Sequence, residues 1–253
     1  MKITFLGTGT SHGVPMIACN CRVCASNNPK NKRMRTSALV CENGCSILID
    51  ATPELRLQCL QNRVTRLDAV LITHPHADHV FGLDDLRRFN MVQRRDMPIY
   101  GTAHSLDTIR RVFSYVFEDR SGRAGNIPRF SLNLINGNLK IGGLSIVPID
   151  ASHGDEKVTG YRFDKFAYLT DVSDIPEKSL EALEELDVLV IGALRYTPHV
   201  KHFNIEQALR VVKRLSPQRT YFTHICHDIE HEEDGRKLPK GVEFAFDGLV
   251  IDV

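Results

Sequence analysis

The chain has 253 residues, enough for one large domain with a sizeable core, and its 42% apolar and 25% charged content is that of an ordinary globular protein. Its formal net charge of +1 supplies no global field to draw in nucleic acid, which disfavours binding of a long RNA by charge alone. The apolar run in MKITFLGTGT is too short for a secretory h-region, and no window of about 18 apolar residues could span a membrane, so a soluble cytoplasmic protein is expected.

In chain order, short apolar runs with β-branched residues read as strands: KITFL, TSALVC, CSILI, DAVLIT, LSIVPI, GYRF, FAYLT, VLVIGA, RTYFT and LVIDV. TSALVC and CSILI are joined by Glu42-Asn43-Gly44, and Asn-Gly is the strongest short hairpin signal. Helical patterns fall at 53–62, 83–89, 103–113, 176–186 and 204–215, with Asn204 as N-cap of the last. The stretch 118–129, rich in Gly, Arg and Ser, reads as a mobile loop. No linker divides the chain. Early hairpins followed by strand–helix alternation predict one α/β domain over 1–253, a layered αββα sandwich rather than a doubly wound sheet.

Three of these strands end in Thr followed by a residue of metal-ligand type: VLIT-His74, FAYLT-Asp171 and YFT-His224. A fourth, ILI-Asp50, lacks the Thr. Strand ends deliver side chains to one edge of a sheet, so these residues are expected to converge. The first opens THPHADH, 73–79, where His74, His76, Asp78 and His79 fall within six positions. Neutral imidazoles and a carboxylate suit zinc, manganese or iron. Adjacent Asp78 and His79 point differently from His74 and His76, which suits two metals side by side. His153, in ASHGD after LSIVPI, joins Asp171 and His224 to make seven donors.

The seven cysteines are odd in number, and a disulfide framework is not expected in a reducing compartment. Cys41, Cys45, Cys59 and Cys226 read as small buried apolar residues. Cys19, Cys21 and Cys24 are different: C-x-C-x-x-C has metal-ligand spacing, and three thiolates need a fourth donor for a closed zinc site. His12 and Cys226 are local options. GTGTSHG, 7–13, is not a P-loop, because no Gly-Lys-Ser/Thr follows, and His12 breaks G-x-G-x-x-G.

H-x-H-x-D-H with its downstream His, Asp and His resembles the metallo-β-lactamase fold superfamily, in its phosphodiesterase branch, from end to end. The resemblance implies that His74, His76 and His153 hold one divalent metal, that Asp78, His79 and His224 hold another, and that Asp171 bridges them. Asp50 would brace the histidine loop without ligating. The Gly-Thr-Gly turn would pack beside the metals, placing Ser11 or His12 near substrate. PhnP-like phosphodiesterases of this superfamily carry the cysteine triplet after GTG and a histidine three residues beyond the last active-site ligand. That implies a structural zinc on Cys19, Cys21, Cys24 and His227, clamping a loop at about 14–35. His202, in HVKHFN, would be the acid that protonates the leaving group, beside Asp78 in the catalytic set, with His199 the less favoured neighbour. Arg87 and Arg195 are candidate partners for a terminal phosphate. A homodimer is implied as well.

Two active-site metals, zinc or manganese, about 3.5–4 Å apart would share a water and lower its pKa toward about 7. Two divalent ions, less Asp78, Asp171 and hydroxide, leave a formal surplus of +1, which favours an anionic phosphodiester, and the resemblance to PhnP-like enzymes implies a small, cyclic one. The alternatives are an RNA 3′-end nuclease of the same superfamily, a hydrolase of another ester, and a zinc-stabilised binding module without turnover. The cysteine triplet disfavours the other esterases. The long Gly/Pro-rich arm of the RNA-processing relatives is not visible.

Overall fold

The computed structural model describes residues 1–118 and 127–253. Its first sheet comprises β1 (Lys2–Gly7), β2 (Ser37–Glu42), β3 (Cys45–Ile49), β4 (Ala69–Leu71), β5 (Met97–Gly101) and β6 (Phe130–Leu134). The second comprises β7 (Leu139–Ile141), β8 (Leu144–His153), β9 (Glu156–Phe163), β10 (Phe166–Leu169), β11 (Val188–Gly192), β12 (Arg219–Thr223) and β13 (Val242–Phe244). The last strand, β14 (Val250–Asp252), returns to the first sheet. The strand orders among the described residues are β14-β1-β2-β3-β4-β5-β6 and β13-β12-β11-β10-β9-β8-β7. In each sheet an antiparallel half meets a parallel half.

The strands read as continuous apolar runs because each sheet is covered on both faces. Side chains alternate across a strand, so neighbours serve different cores. On β3, Ile47 and Ile49 enter the layer between the sheets with Tyr161, Phe166 and Tyr168, while Leu48 joins Leu55 and Leu83 under the helices outside. On β11, Val188 and Val190 face inward, and Leu189 and Ile191 pack with Ile205 and Ala208 on the opposite side. The outer helices of the first sheet are α1 (Leu55–Gln61), α2 (Ala77–Val80), α3 (Arg87–Gln93), α4 (Ala103–Val112) and α5 (Ser114–Phe117). Those of the second are α6 (Glu177–Glu181), α7 (Ile205–Leu215) and α8 (His231–Gly235). The αββα sandwich expected from the sequence is the fold observed.

Two local expectations are met in detail. Asn43 and Gly44 both lie at positive φ, 49° and 78°, as a two-residue hairpin of primed type requires. Asn204 caps α7, with Gln207 completing a reciprocal capping box. Others change. The pattern at 83–89 divides into a 3₁₀ turn, Phe81–Leu86, and α3, and the one at 176–186 shortens to α6. Strands β5, β6, β7 and β13 were not expected. Pro98 interrupts β5, β6 is a half-polar edge strand, and the other two have three residues each. Of the loop expected at 118–129, residues 119–126 lie outside the described residues.

Candidate metal centre

The predicted donors meet at one edge of the sandwich. Asp50 follows β3, His74 lies just past β4, His153 ends β8, Asp171 lies just past β10 and His224 follows β12. Asp50, Asp171 and His224 have φ of 61°, 53° and 57°. Non-glycine residues seldom adopt this left-handed region, and such strain concentrates where function over-determines the backbone. It turns the chain sharply as it leaves the strand and aims the side chain across the edge. Within the motif, His76 is still extended, whereas Asp78 and His79 lie in the single turn of α2. That change of backbone sends the two pairs in different directions. Gly82 lets this turn sit against α1's approach, since a Cβ there would lie 1.9 Å from the Thr52 carbonyl oxygen.

Two donor sets result. His74, His76 and His153 form one, and Asp78, His79, Asp171 and His224 the other, with ligand atoms within 4.8 Å of one another in each. His74 Nε2 and His76 Nδ1 approach to 2.9 Å. Asp171 stands between the sets and divides its oxygens. Its Oδ1 lies 3.1 Å from His224 Nε2 and 3.6 Å from His79 Nε2, and its Oδ2 lies 3.8 Å from His74 Nε2 and 4.0 Å from His153 Nε2. Asp78 Oδ2 is 3.2 Å from His79 Nε2. The same Oδ2 of Asp171 is 4.0 Å from His202 Nδ1, and the His202 ring stacks on His224 at 4.8 Å.

The far sides of His74, His79 and His153 are each held by a partner that leaves the other nitrogen facing inward. His79 Nδ1 meets Asp50 Oδ2 at 2.7 Å, and Asp50 also accepts from Thr73 N (2.8 Å) and Thr73 Oγ1 (2.7 Å). His74 Nδ1 meets Thr73 Oγ1 at 3.1 Å, and His153 Nδ1 donates to the Lys201 carbonyl at 2.8 Å. Burial and the neighbouring His79 hold His74 well below its usual pKa, and burial lowers His153 as well. Both therefore present lone pairs at neutral pH. His79 is the exception: burial opposes a proton there, yet Asp50, Asp78 and Asp171 outweigh it and hold the ring well above the usual value. Three carboxylates crowd a site that calls for a cation, and a metal ion on His79 Nε2 would take the place of that proton. His79 Nε2 and both ring nitrogens of His224 are buried with no hydrogen-bond partner. Unpaired buried nitrogens in a ring of carboxylates fit divalent metal ions, and these donors suit zinc or manganese.

The remaining predicted residues are distributed as follows. Cys19, Cys21 and Cys24 surround His227, with Sγ–Nδ1 distances of 3.2, 3.4 and 3.6 Å. Cys226 is absent from that group and accepts from Asp228 N, while His12 is exposed. Cys21 is lowered to about 6, chiefly by the backbone N–H of Cys24, whereas burial pushes Cys24 up to about 11. Ser11 is exposed, and its carbonyl accepts from Arg35. Arg195 lies in the loop that carries His199 and His202 and donates to Thr197 and Pro198 carbonyls at 3.4 Å. Arg87 pairs with Asp84 at 2.6 Å and lines a groove of about 540 Å³ beside Leu60 and Phe89. Sequence reasoning missed Glu156 and Lys201, which reach the histidines from the β8–β9 turn and the His202 loop.

Comparison with known proteins agrees with this geometry. Residues 46–225 match the model of the beta-lactamase superfamily domain. A solved structure described as a new diphosphatase from the PhnP family superimposes with a TM-score of 0.93 at 38% identity, covering 100% of this chain and 97% of that one. The chain belongs to the metallo-β-lactamase fold superfamily, in its PhnP-like branch. Among curated proteins it is 37% identical over 254 residues to an octanoyltransferase of Porphyromonas gingivalis, covering 98% of this chain and 51% of that protein. A ribonuclease Z of Clostridioides difficile is 25% identical over 74% of this chain and 64% of its own length. The chain spans about half the length of the curated relatives it matches first.

Proposed function

We propose that this chain is a metal-dependent phosphodiesterase that holds two divalent ions and hydrolyses small phosphodiesters, cyclic ones among them. The observation that carries the reading is Asp171, whose two carboxylate oxygens face separate donor sets, one of them holding the buried, unpaired nitrogens of His79 and His224. His74, His76 and His153 would hold one ion, Asp78, His79 and His224 the other, with Asp171 shared. When bound, the ions would acidify a water and offset charge on the phosphate. The chain's own residues do the rest. Asp50 fixes the tautomer of His79 and the backbone of Thr73. Burial and the neighbouring His224 lower His202 to about 3, so it is neutral at rest. An anionic phosphate arriving beside it favours its protonated form, which would then give its proton to the leaving oxygen. Two divalent cations set against Asp78 and Asp171 leave surplus positive charge, which suits a phosphorus bearing one negative charge.

The PhnP-family neighbour is described as a diphosphatase. A diphosphate with both ends esterified presents a phosphorus with one negative charge and two bridging oxygens, as a phosphodiester does, though the bond broken between the phosphates is an anhydride. Acyl transfer, named for the Porphyromonas gingivalis relative, is not carried over: about half of that protein has no counterpart here. No thiol joins the histidine donor sets among the described residues. The cysteine group with His227 is proposed as a structural zinc site clamping the loop at about 14–35. Counting metals in the purified protein and assaying bis-p-nitrophenyl phosphate with zinc and manganese tests the reading. Turnover that disappears in Asp171→Ala together with metal is expected. Full turnover after thorough chelation would refute it.

A further inference from the structure

The strand register of the β8–β9 hairpin sets up an arrangement that the proposed reaction does not use. His153 and Glu156 are the paired residues that close its two-residue turn, so their side chains share one face. Glu156 therefore projects beside the metal ligands. Its Oε2 lies 2.9 Å from His76 Nε2, the nitrogen opposite the one that faces His74. Its Oε1 accepts from Lys201 Nζ at 2.7 Å. Lys201 is tied in at two further points. Its carbonyl accepts from His153 Nδ1 at 2.8 Å, and its backbone N–H donates to His199 Nδ1 at 3.2 Å. Gly154 leaves room for the lysine stem, since a Cβ there would sit 2.9 Å from Lys201 Cγ. One lysine thus touches, directly or through Glu156, two of the three histidines of one donor set, and it immediately precedes His202.

We propose that Glu156 and Lys201 are positioning residues: a bridge that fixes the His76 ring with Nδ1 facing the donor set and ties the 199–202 segment to that same half of the centre. Ligating histidines are ordinarily oriented by a carboxylate on the opposite nitrogen, and losing such a partner costs about 10–100-fold in metal affinity. His79 has Asp50, His153 has the Lys201 carbonyl and His74 has Thr73; Glu156 supplies the corresponding partner for His76, the most exposed of the four. As an exposed ion pair alone, Glu156–Lys201 would contribute little to stability, so its effect should appear in metal binding and not in melting.

The inference rests on the metal-centre reading above. The test is titration of Zn²⁺ into metal-free wild type, Glu156→Ala, Glu156→Gln and Lys201→Met, in competition with a chromophoric chelator, with melting temperature measured alongside. Glu156→Ala should weaken one zinc affinity by about 10–100-fold, leaving the others and the melting temperature of the metal-free chain unchanged. Glu156→Gln should recover part of the loss, because its amide oxygen still accepts from His76 Nε2. Lys201→Met should lose less affinity but slow alkyl diesters more than nitrophenyl diesters, because His202 is no longer held in register. Unchanged zinc affinities in Glu156→Ala, with or without a lower melting temperature, would overturn the bridge while leaving the metal centre standing. A wild-type chain taking up no zinc at its histidines would overturn both.

Discussion

Replacing Cys21 by Ala probes how the cysteine loop is held and whether it supports the histidine centre. The segment 14–28 contains no helix or strand, and its own apolar cluster consists of Val14, Val23 and Cys24 with Met16, Cys19 and Cys21 at the margin. So small a cluster cannot offset the entropy of ordering fifteen residues, at about 1–2 kcal/mol each for the backbone. Its ties outward include the exposed ion pair Arg22–Glu233, which solvent screening leaves weak. The contacts of the cysteines with His227 must supply most of the order, and a structural zinc supplies folding free energy directly. Residues 29–35 are anchored differently: Asn31 bonds Glu230 and His231, and buried Arg33 donates to Thr8 and the Ala245 carbonyl. Cys21→Ala should therefore lose one zinc and expose Arg22 to trypsin while the segment from Asn31 stays protected. His224, three residues before His227, should feel the change, though only partly. Ile225 N donates to the Thr8 carbonyl and Cys226 N to that of Leu194, which pin the segment from both sides. The loss of affinity and turnover at the histidine centre should fall near the lower end of the roughly 10–100-fold range for indirect effects on metal ligands. Metal counting and timed proteolysis on Cys21→Ala, His227→Ala and Cys226→Ala decide the matter. If His227→Ala keeps all its zinc while Cys226→Ala loses one, the proposed division of THICHD between two sites is wrong.

The protein should hydrolyse phosphodiesters and act poorly on phosphomonoesters; comparable turnover of bis-p-nitrophenyl and p-nitrophenyl phosphate by metal-loaded protein would contradict the charge argument. His202→Ala should slow diesters with poor leaving groups by about 10²–10⁴-fold and those with good ones far less, and an equal loss across a leaving-group series would remove His202 from the acid's role. His231 is buried beside Arg33, and burial first, then that guanidinium, lowers it from 6.5 to about 4. Its folded pKa lies below the unfolded one, so stability is lost as pH falls from 6.5 to about 4, by on the order of 3 kcal/mol at most. Urea melts across that window should be flatter for His231→Gln than for wild type, and parallel curves would refute the assignment.

The layers of the fold were legible because the strands that build the central core carry apolar residues on both faces. CSILI, FAYLT and VLVIG announce themselves by composition without any need for alternation. The strands that escaped notice are those whose order comes from neighbours. β5 pairs through a proline-containing run, and β13 has only Val242 and Phe244 to bury. Local propensity there is overridden by the sheet that receives them. In the same way, 83–89 reads as one helix by period but falls across a 3₁₀ turn and the start of α3, where Gly82 must close on Thr52 behind the histidine motif. The requirements of the site, not of the helix, shape that turn.

The ligand residues were legible for a different reason: they follow strands whose ends must lie together, so chain position alone places them. What surrounds them was not. Glu156 sits three residues after His153 and looks like any charged residue in a turn; only the hairpin register turns it toward His76. Asp50 shows the same point from the interior. Its burial raises its pKa, so an isolated aspartate there would be costly, and three donors from Thr73 and His79 are what the position supplies in return. A carboxylate is retained at that depth because His79 must keep one tautomer while presenting Nε2 to the Asp78 and Asp171 carboxylates. An amide, with one accepting oxygen in place of two, could not accept from all three donors, and it would subtract one of the three negative charges around His79. The charge balance of the centre therefore depends on a residue that touches no ligand position, and it does so through a single imidazole ring.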